Sequence, residues 1–202
     1  AAELVEDGMT VGLGTGSTVA HLLDALAERG LTGLRCVATS IATEQRAREL
    51  GLAVEAVDAL ERLDIAIDGT DQVDPDGWLI KGGGGAHTRE KIVAAAADRF
   101  VVIADSTKVV EALAAPVPVE LHAYGLKATL HALGDVVVRL NAPRSPDGGV
   151  IADVRTPFDD AAAHAAHLSQ TPGVVDHGLF PPALVSDVLI ARGDEVEHRT
   201  LR

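Results

Sequence analysis

Aromatic residues are almost missing from this chain: one Trp, one Tyr and three Phe among 202 residues. Since 47% of the residues are nevertheless apolar, Ala, Val, Leu and Ile must fill the core. Cysteine is scarcer still. Cys36 stands alone, so no intramolecular disulfide is possible, and within the apolar run RCVAT it reads as a small buried hydrophobe. Such usage fits a cytoplasmic protein. Basic charge is short as well: 17 Lys and Arg against 30 Asp and Glu leave a net charge of −13. That argues against nucleic acid, whose partners carry a basic face, and against an anionic membrane surface. It leaves room for a small anionic substrate if local donors gather around it. No apolar run reaches the ~18 residues of a membrane-spanning helix, and no signal peptide is visible. The opening AAELVEDGM is expected to be the tail of a helix whose start lies upstream.

What is present is a regular alternation. Thr10–Gly14, Leu34–Thr39, Leu63–Asp68 and Phe100–Asp105 are expected strands, with helices over Ser17–Arg29, Thr43–Leu50 and Thr88–Arg99. Val73–Gly77 is a polar turn, and Trp78–Lys81 is short and extended. Strands apolar on both faces and alternating with helices predict an open, mostly parallel, Rossmann-like sheet. The pattern changes near Pro116–Glu120. A helix over His122–Leu133, strands at Val136–Leu140 and Val150–Val154, a helix over Asp160–Ser169 and a strand at Gly173–His177 follow. This predicts a second, smaller α+β domain of split-βαβ type, residues 119–183. Residues 1–118 and 184–202 then form the Rossmann-like domain, with Ser186–Ala191 rejoining its sheet.

Several segments could carry chemistry. Thr15, Gly16, Ser17 and Thr18 lie between a strand and a helix, where free amides bind a phosphate or a sugar oxygen; an ordinary N-cap by Ser17 or Thr18 is the plainer reading. The order of residues matches neither GxGxxG nor a Walker loop, so a dinucleotide is not favoured. Asp68-Gly69-Thr70-Asp71 ends a strand, where ligands of parallel sheets bind. Its two carboxylates suit a polyol, a solvated turn, or a metal ion together with Asp74 and Asp76. The eight histidines offer no ligand spacing. Lys81 precedes four glycines, Gly82 to Gly85, which form either an anion nest beside a cation or a slack loop. Glu90, in the first turn of a helix, either complements the dipole or stays ionised there as a proton acceptor. Lys108, in ADSTK after a strand, could meet an anionic oxygen or simply be solvated.

Taken in order, GLGTGST, DGTDQVD, KGGGGAHTREK, ADSTK and PVPVE, with PGVVDHGLF further on, resemble type A ribose 5-phosphate isomerase. The resemblance runs from about Gly12 to Glu120. It implies an aldose–ketose isomerase that works through an enediol on a sugar phosphate, with no metal and no organic cofactor, as a homo-oligomer. It implies Glu90 as the proton-transferring residue and Asp68, Asp71 and Lys81 as its catalytic companions. Thr15, Gly16, Ser17, Thr18, Gly69, Thr70, Gly82, Gly83, Gly84 and Lys108 would contact substrate. The family pattern DGADE is replaced here by DGTDQ, which leaves both aspartates in place. The family's first helix is mostly absent from this sequence. A sugar-phosphate-sensing regulatory domain and a coenzyme A transferase-like enzyme are the rival readings, the first lacking a general base and the second needing a glutamate motif not found here.

Overall fold

The computed structural model describes residues 1–202. In chain order the first elements are β1 (Thr10–Leu13), α1 (Ser17–Glu28), β2 (Arg35–Ala38), α2 (Ile41–Glu49) and β3 (Leu63–Gly69). Then come β4 (Gln72–Val73), β5 (Leu79–Ile80), α3 (His87–Ala95), β6 (Ala97–Asp105), β7 (Val117–Leu121) and α4 (Leu126–Leu133). The remainder is β8 (Val136–Val138), β9 (Val150–Val154), α5 (Ala161–Gln170), β10 (Val174–His177), β11 (Leu179–Phe180), β12 (Asp187–Arg192) and β13 (Glu195–Thr200).

The chain divides into two compact units. The first holds Ala1–Thr70, Arg89–Lys108 and Ala183–Arg202; the second holds Asp71–Thr88 and Val109–Pro182. The sequence-based division at residues 118 and 183 differs from this, because Asp71–Thr88 and Val109–Pro118 belong with the second unit. The reason is pairing: β5 bonds to β11 at Ile80–Leu179 and Leu79–Phe180, and to β4 on its other side.

The first unit is a six-stranded sheet in the order β13-β12-β6-β3-β1-β2, parallel except for β13. Its Rossmann-like character follows from sequence. Val11, Leu13, Ile65, Ile67 and Val101 are buried between layers, and α1 contributes Val19, Leu22, Leu23 and Leu26 from a single helical face. β1 pairs with β2 on one side and β3 on the other, so the strand order reverses between β1 and β3. A crevice outside the carboxyl ends at such a reversal is where parallel sheets take ligands. Cys36 is fully buried, and burial pushes its thiol up to about 11, so it is an inert core side chain.

The second unit contains β7-α4-β8-β9-α5-β10 with the antiparallel order β10-β7-β9-β8, the split-βαβ arrangement expected. Val117, Val119, Leu121, Ala152, Val154, Leu133 and Leu168 form its core. A separate three-stranded sheet has the order β11-β5-β4. No helix of the chain is long and apolar enough to cross a membrane.

Several expected boundaries move. The helix expected to run from Thr88 to Arg99 is α3, which stops at Ala95, because Ala97 and Arg99 pair with Leu63 and Ile65 of β3. Tertiary pairing here overrides the helix propensity of an alanine run. The helix expected from His122 begins only at Leu126, after Gly125 at φ 72°. α2 starts at Ile41, since Ser40 Oγ accepts the Thr43 amide as its cap. The N-terminal segment holds a single 3-10 turn, Ala2–Leu4, in place of a helix tail. β13 was not anticipated: EVEHRT is polar and mostly exposed, with no apolar alternation to mark it.

Asp187 ties the far side of the sheet. It is 3% exposed; Arg99 Nε donates to Oδ2 at 2.7 Å, and the His198 ring nitrogen lies 2.6 Å from Oδ1. Burial pushes this carboxyl up, but hydrogen bonds from Arg99 and His198 outweigh it and hold the group below the usual carboxylate range. A carboxyl depressed in the folded state contributes stability above its unfolded value, near ~3.9, and loses it as pH falls through the folded value. The stability gap between the wild type and Asp187→Asn is therefore expected to be widest near neutrality and to shrink below about pH 4. Urea unfolding at neutral and acid pH reads it; a gap of equal size at both would remove Asp187 from this role.

Candidate active site

On the first unit, the chemistry gathers at the carboxyl ends of β1 and β3. Asp68 is buried, and its Oδ1 accepts the amides of Thr15 at 3.0 Å and Gly69 at 2.7 Å. Gly14 is required for this: a Cβ there would fall 2.0 Å from Asp68 Cγ. The turn after Gly14 is braced from β2 and α2. Thr15 Oγ1 lies 2.7 Å from Thr39 Oγ1, the Thr39 amide donates to the Leu13 carbonyl, and Thr43 Oγ1 donates to the Gly14 carbonyl at 2.8 Å. Thr39 and Thr43 are buried polar residues that sequence reasoning missed; the available signal was the run TSIAT, which carries three hydroxyls.

Gly16, at φ 110°, is the N-cap of α1, and no side-chain bond caps the helix. Ser17 and Thr18 lie within its first turn, exposed, so the plain capping role for them is corrected: their hydroxyls and the first-turn amides face solvent-accessible space. Gly69 lies near this turn: a Cβ on it would sit 3.9 Å from the Thr15 carbonyl and 4.0 Å from Thr18 Cβ. Thr70 is buried beside it in sequence. Lys108 closes a 3-10 turn, Ser106–Lys108, directly after β6. Since β3 and β6 are parallel, Lys108 and Asp68 stand at one edge of the sheet. Glu90 is the fourth residue of α3 and only 4% exposed.

On the second unit, Asp71 and Lys81 flank the β4–β5 hairpin. The Asp71 amide donates to the Ile80 carbonyl at 2.9 Å, and its Oδ2 accepts the Gly83 amide at 2.8 Å. Lys81 is 3% exposed, with Nζ 5.5 Å from the centre of the Phe180 ring. Its amide donates to the Gly178 carbonyl at 2.8 Å, and the Gly178 amide donates to Pro118 at 2.7 Å. Two motifs without an assigned role, PVPVE and PGVVDHGLF, thus meet the lysine through backbone bonds.

The glycine run is an ordered turn, closed by the Gly85 amide on the Gly82 carbonyl at 3.0 Å. Gly82 has φ 104°, and a Cβ on it would meet the His87 ring at 2.7 Å. Gly83 and Gly84 are exposed. Asp74 is occupied differently from the metal alternative: its Oδ1 accepts the Trp78 amide at 2.9 Å, closing the hairpin turn. No group of three or more His, Cys, Asp or Glu side chains is arranged to hold a metal ion.

Glu120, the end of PVPVE, was also missed. Its carboxylate is 3% exposed and accepts hydroxyl protons from Thr88 and Ser145. Thr88 is the second residue of α3 and spends its hydroxyl on Glu120. A buried carboxylate is tolerable only with such donors.

Gly178 is the tightest point around Lys81: an added Cβ would fall 2.1 Å from the Lys81 carbonyl oxygen. The oxygen is backbone and the position of a Cβ is fixed by its own backbone, so neither can swing aside. Gly178→Ala is expected to cost about 1–3 kcal/mol of stability, the usual price of overpacking, read by denaturant unfolding. A cost below a few tenths would show that Lys81 is not held there.

The chain is similar to known proteins along most of its length. The model of the family "Ribose 5-phosphate isomerase A (phosphoriboisomerase A)" matches residues 35–195. Ribose-5-phosphate isomerase A of Nitrobacter hamburgensis is 46% identical over 198 residues, covering 89% of this chain and 85% of that protein. The ribose 5-phosphate isomerase A structure from Methanocaldococcus jannaschii superposes with a TM-score of 0.90 at 35% identity, covering 98% of this chain and 94% of that one. A D-ribose-5-phosphate isomerase solved in complex with phospho-erythronic acid superposes with a TM-score of 0.91 at 32% identity, covering 98% and 93%. With a family model over most of the chain and relatives this similar along nearly all of it, the chain belongs to the ribose 5-phosphate isomerase A family.

Proposed function

We propose that the chain is an isomerase that interconverts D-ribose 5-phosphate and D-ribulose 5-phosphate through an enediol. The observation that carries this reading is its membership of the family. The relative bound to phospho-erythronic acid supports the intermediate. That acid is one carbon shorter than the substrate, and its carboxylate presents two oxygens where an enediolate would carry O1 and O2.

Open-chain ribose 5-phosphate loses its C2 proton to Glu90, and the same carboxylate returns it to C1. One group serves both steps because C1 and C2 are adjacent. The proton is acidic because the neighbouring carbonyl delocalises the charge, so this reading calls for no metal or organic cofactor. Lys81 and the glycine-loop amides not taken by Asp71 stabilise the oxygen on which charge develops. Asp68 moves protons during ring opening, and Asp71, bonded to the Gly83 amide, orients a hydroxyl or Lys81. Thr15, Gly16, Ser17, Thr18, Gly69, Thr70 and Lys108 bind the hydroxyls and the phosphate. We further propose that the chain works as a homo-oligomer in the cytoplasm, on a small sugar phosphate rather than on nucleic acid or a membrane.

Glu90→Gln keeps the shape of the base and removes its basicity. The expected result is a kcat lower by about 10²–10⁴, the span of one general base, with KM little changed. Conversion of ribose 5-phosphate by the purified wild type and variant decides this, and retention of more than half of the wild-type kcat would take Glu90 out of the mechanism.

Proton transfer through a carboxylate also leaves an isotopic trace. While the enediol is bound, the proton on Glu90 exchanges with solvent. Isomerisation in D₂O is therefore expected to place deuterium at C1 of ribulose 5-phosphate, unaffected by EDTA. Zero deuterium by NMR, with loss of activity in EDTA, would point instead to a metal-assisted hydride shift.

A further inference from the structure

Arg139 follows β8 and lies outside every motif that the sequence singled out. Its planar guanidinium is used at both ends. Nε and Nη2 donate to the two carboxylate oxygens of Asp153, at 2.7 and 2.6 Å. The remaining nitrogen, Nη1, donates to the carbonyl oxygens of Gly82 at 3.0 Å and Gly83 at 2.9 Å. Asp153 thus fixes the plane of the fork, and the fork holds two consecutive carbonyls of the glycine turn. All of these residues belong to the second unit.

The consequence follows from peptide geometry. In a trans peptide the carbonyl of one residue and the N–H of the next point in opposite directions within one plane. With the Gly82 carbonyl drawn to Arg139, the Gly83 N–H must point away from it, and it is found donating to Asp71 Oδ2 at 2.8 Å. With the Gly83 carbonyl drawn the same way, the Gly84 N–H also turns from Arg139. A run of glycines has no side chains to set these planes, and each glycine is free to take several backbone conformations. Arg139 supplies the missing restraint from 57 residues away. The charge of Asp71 also acts on Arg139: hydrogen bonding to Asp153 first, and the nearby Asp71 carboxylate in addition, raise the guanidinium pKa.

We propose that Arg139, oriented by Asp153, is a positioning residue for the isomerisation: by holding the Gly82 and Gly83 carbonyls it aims the Gly83 and Gly84 amides and fixes Asp71 and the loop behind Lys81. The catalytic part of this rests on the isomerase reading; the restraint on the loop does not. Lysine cannot replace it, because a single ammonium does not hold a carboxylate and two carbonyls in one plane.

Two measurements on the full chain test it. Amide hydrogen exchange by NMR reads the restraint directly. In Arg139→Ala the Gly83 and Gly85 amides are expected to exchange at least about tenfold faster, with α1 amides unchanged, as for a local opening. Kinetics read the consequence. Arg139→Ala and Arg139→Lys are both expected to lose roughly 10- to 100-fold in kcat, the scale of a small misplacement of catalytic groups, with KM changed less. Millimolar guanidinium is expected to restore part of the kcat of Arg139→Ala while leaving the wild type and Arg139→Lys as they were. A merely structural arginine would not give that rescue, since guanidinium does not stabilise folded protein. Unchanged exchange at Gly83 would overturn the restraint. Faster exchange with kcat kept above half of wild type, or a folded Arg139→Ala without rescue, would overturn the catalytic role. A wild type that does not convert ribose 5-phosphate would instead refute the isomerase reading, and the exchange result would still decide whether Arg139 holds the loop.

Discussion

Asp68 ends β3 with its carboxylate turned onto the main chain that leaves β1, and this is possible only because Gly14 has no side chain. The contact depends on parallel pairing. β1 and β3 run side by side with Leu13 opposite Ile67, so their carboxyl ends arrive together and the next residues of each strand must share space. The solution is a glycine on one strand and an acceptor on the other. One oxygen of Asp68 then accepts the Thr15 and Gly69 amides at the strand ends. The hydroxyls of Thr39 and Thr43 brace the same turn from the neighbouring strand and helix. Remove the parallel pairing and neither the carboxylate nor the turn has a fixed place.

The second unit solves a different problem. Four glycines in a row contribute no side-chain packing, so whatever order they have must come from outside. It comes from backbone bonds at Lys81, from Arg139 on the Gly82 and Gly83 carbonyls, and from Asp71 on the Gly83 amide. Removing charges from water is costly, and a half-buried pair such as Arg139–Asp153 gives little net stability once desolvation is counted. Their use here is geometric. The same holds for Glu120, whose carboxylate is surrounded by hydroxyl donors and by Gly149, where a Cβ would come within 2.2 Å of it.

Much of this was legible in the residues themselves. The α/β alternation, the smaller split-βαβ unit and the segments bearing Thr15–Thr18, Asp68–Asp71, Lys81–Gly84, Glu90 and Lys108 follow from local periodicity, turn chemistry and motif order. Apolar runs bounded by glycine encode strands within a few residues of themselves, and a family's motifs are short enough to stand whole in the chain. Where local preference competed with distant pairing, the sequence misled. The alanine run after Glu90 reads as helix, yet Ala97 and Arg99 join a strand because β3 lies beside them. EVEHRT reads as nothing in particular, yet it closes the sheet edge against β12.

By itself, then, the sequence determined the class of fold, the order of most of its elements and which side chains are candidates to move a proton or meet an anion, since those depend on residue type and short spacing. Only the tertiary structure decided which backbone each of those side chains leans on. Gly178 touches Lys81, Arg139 reaches Gly82 and Gly83, Glu120 takes the Thr88 hydroxyl, and Thr39 meets Thr15. Each of these contacts joins residues 24 or more positions apart. Nothing in local periodicity records such a pairing, because it is fixed by how sheets and helices pack, after the elements have formed.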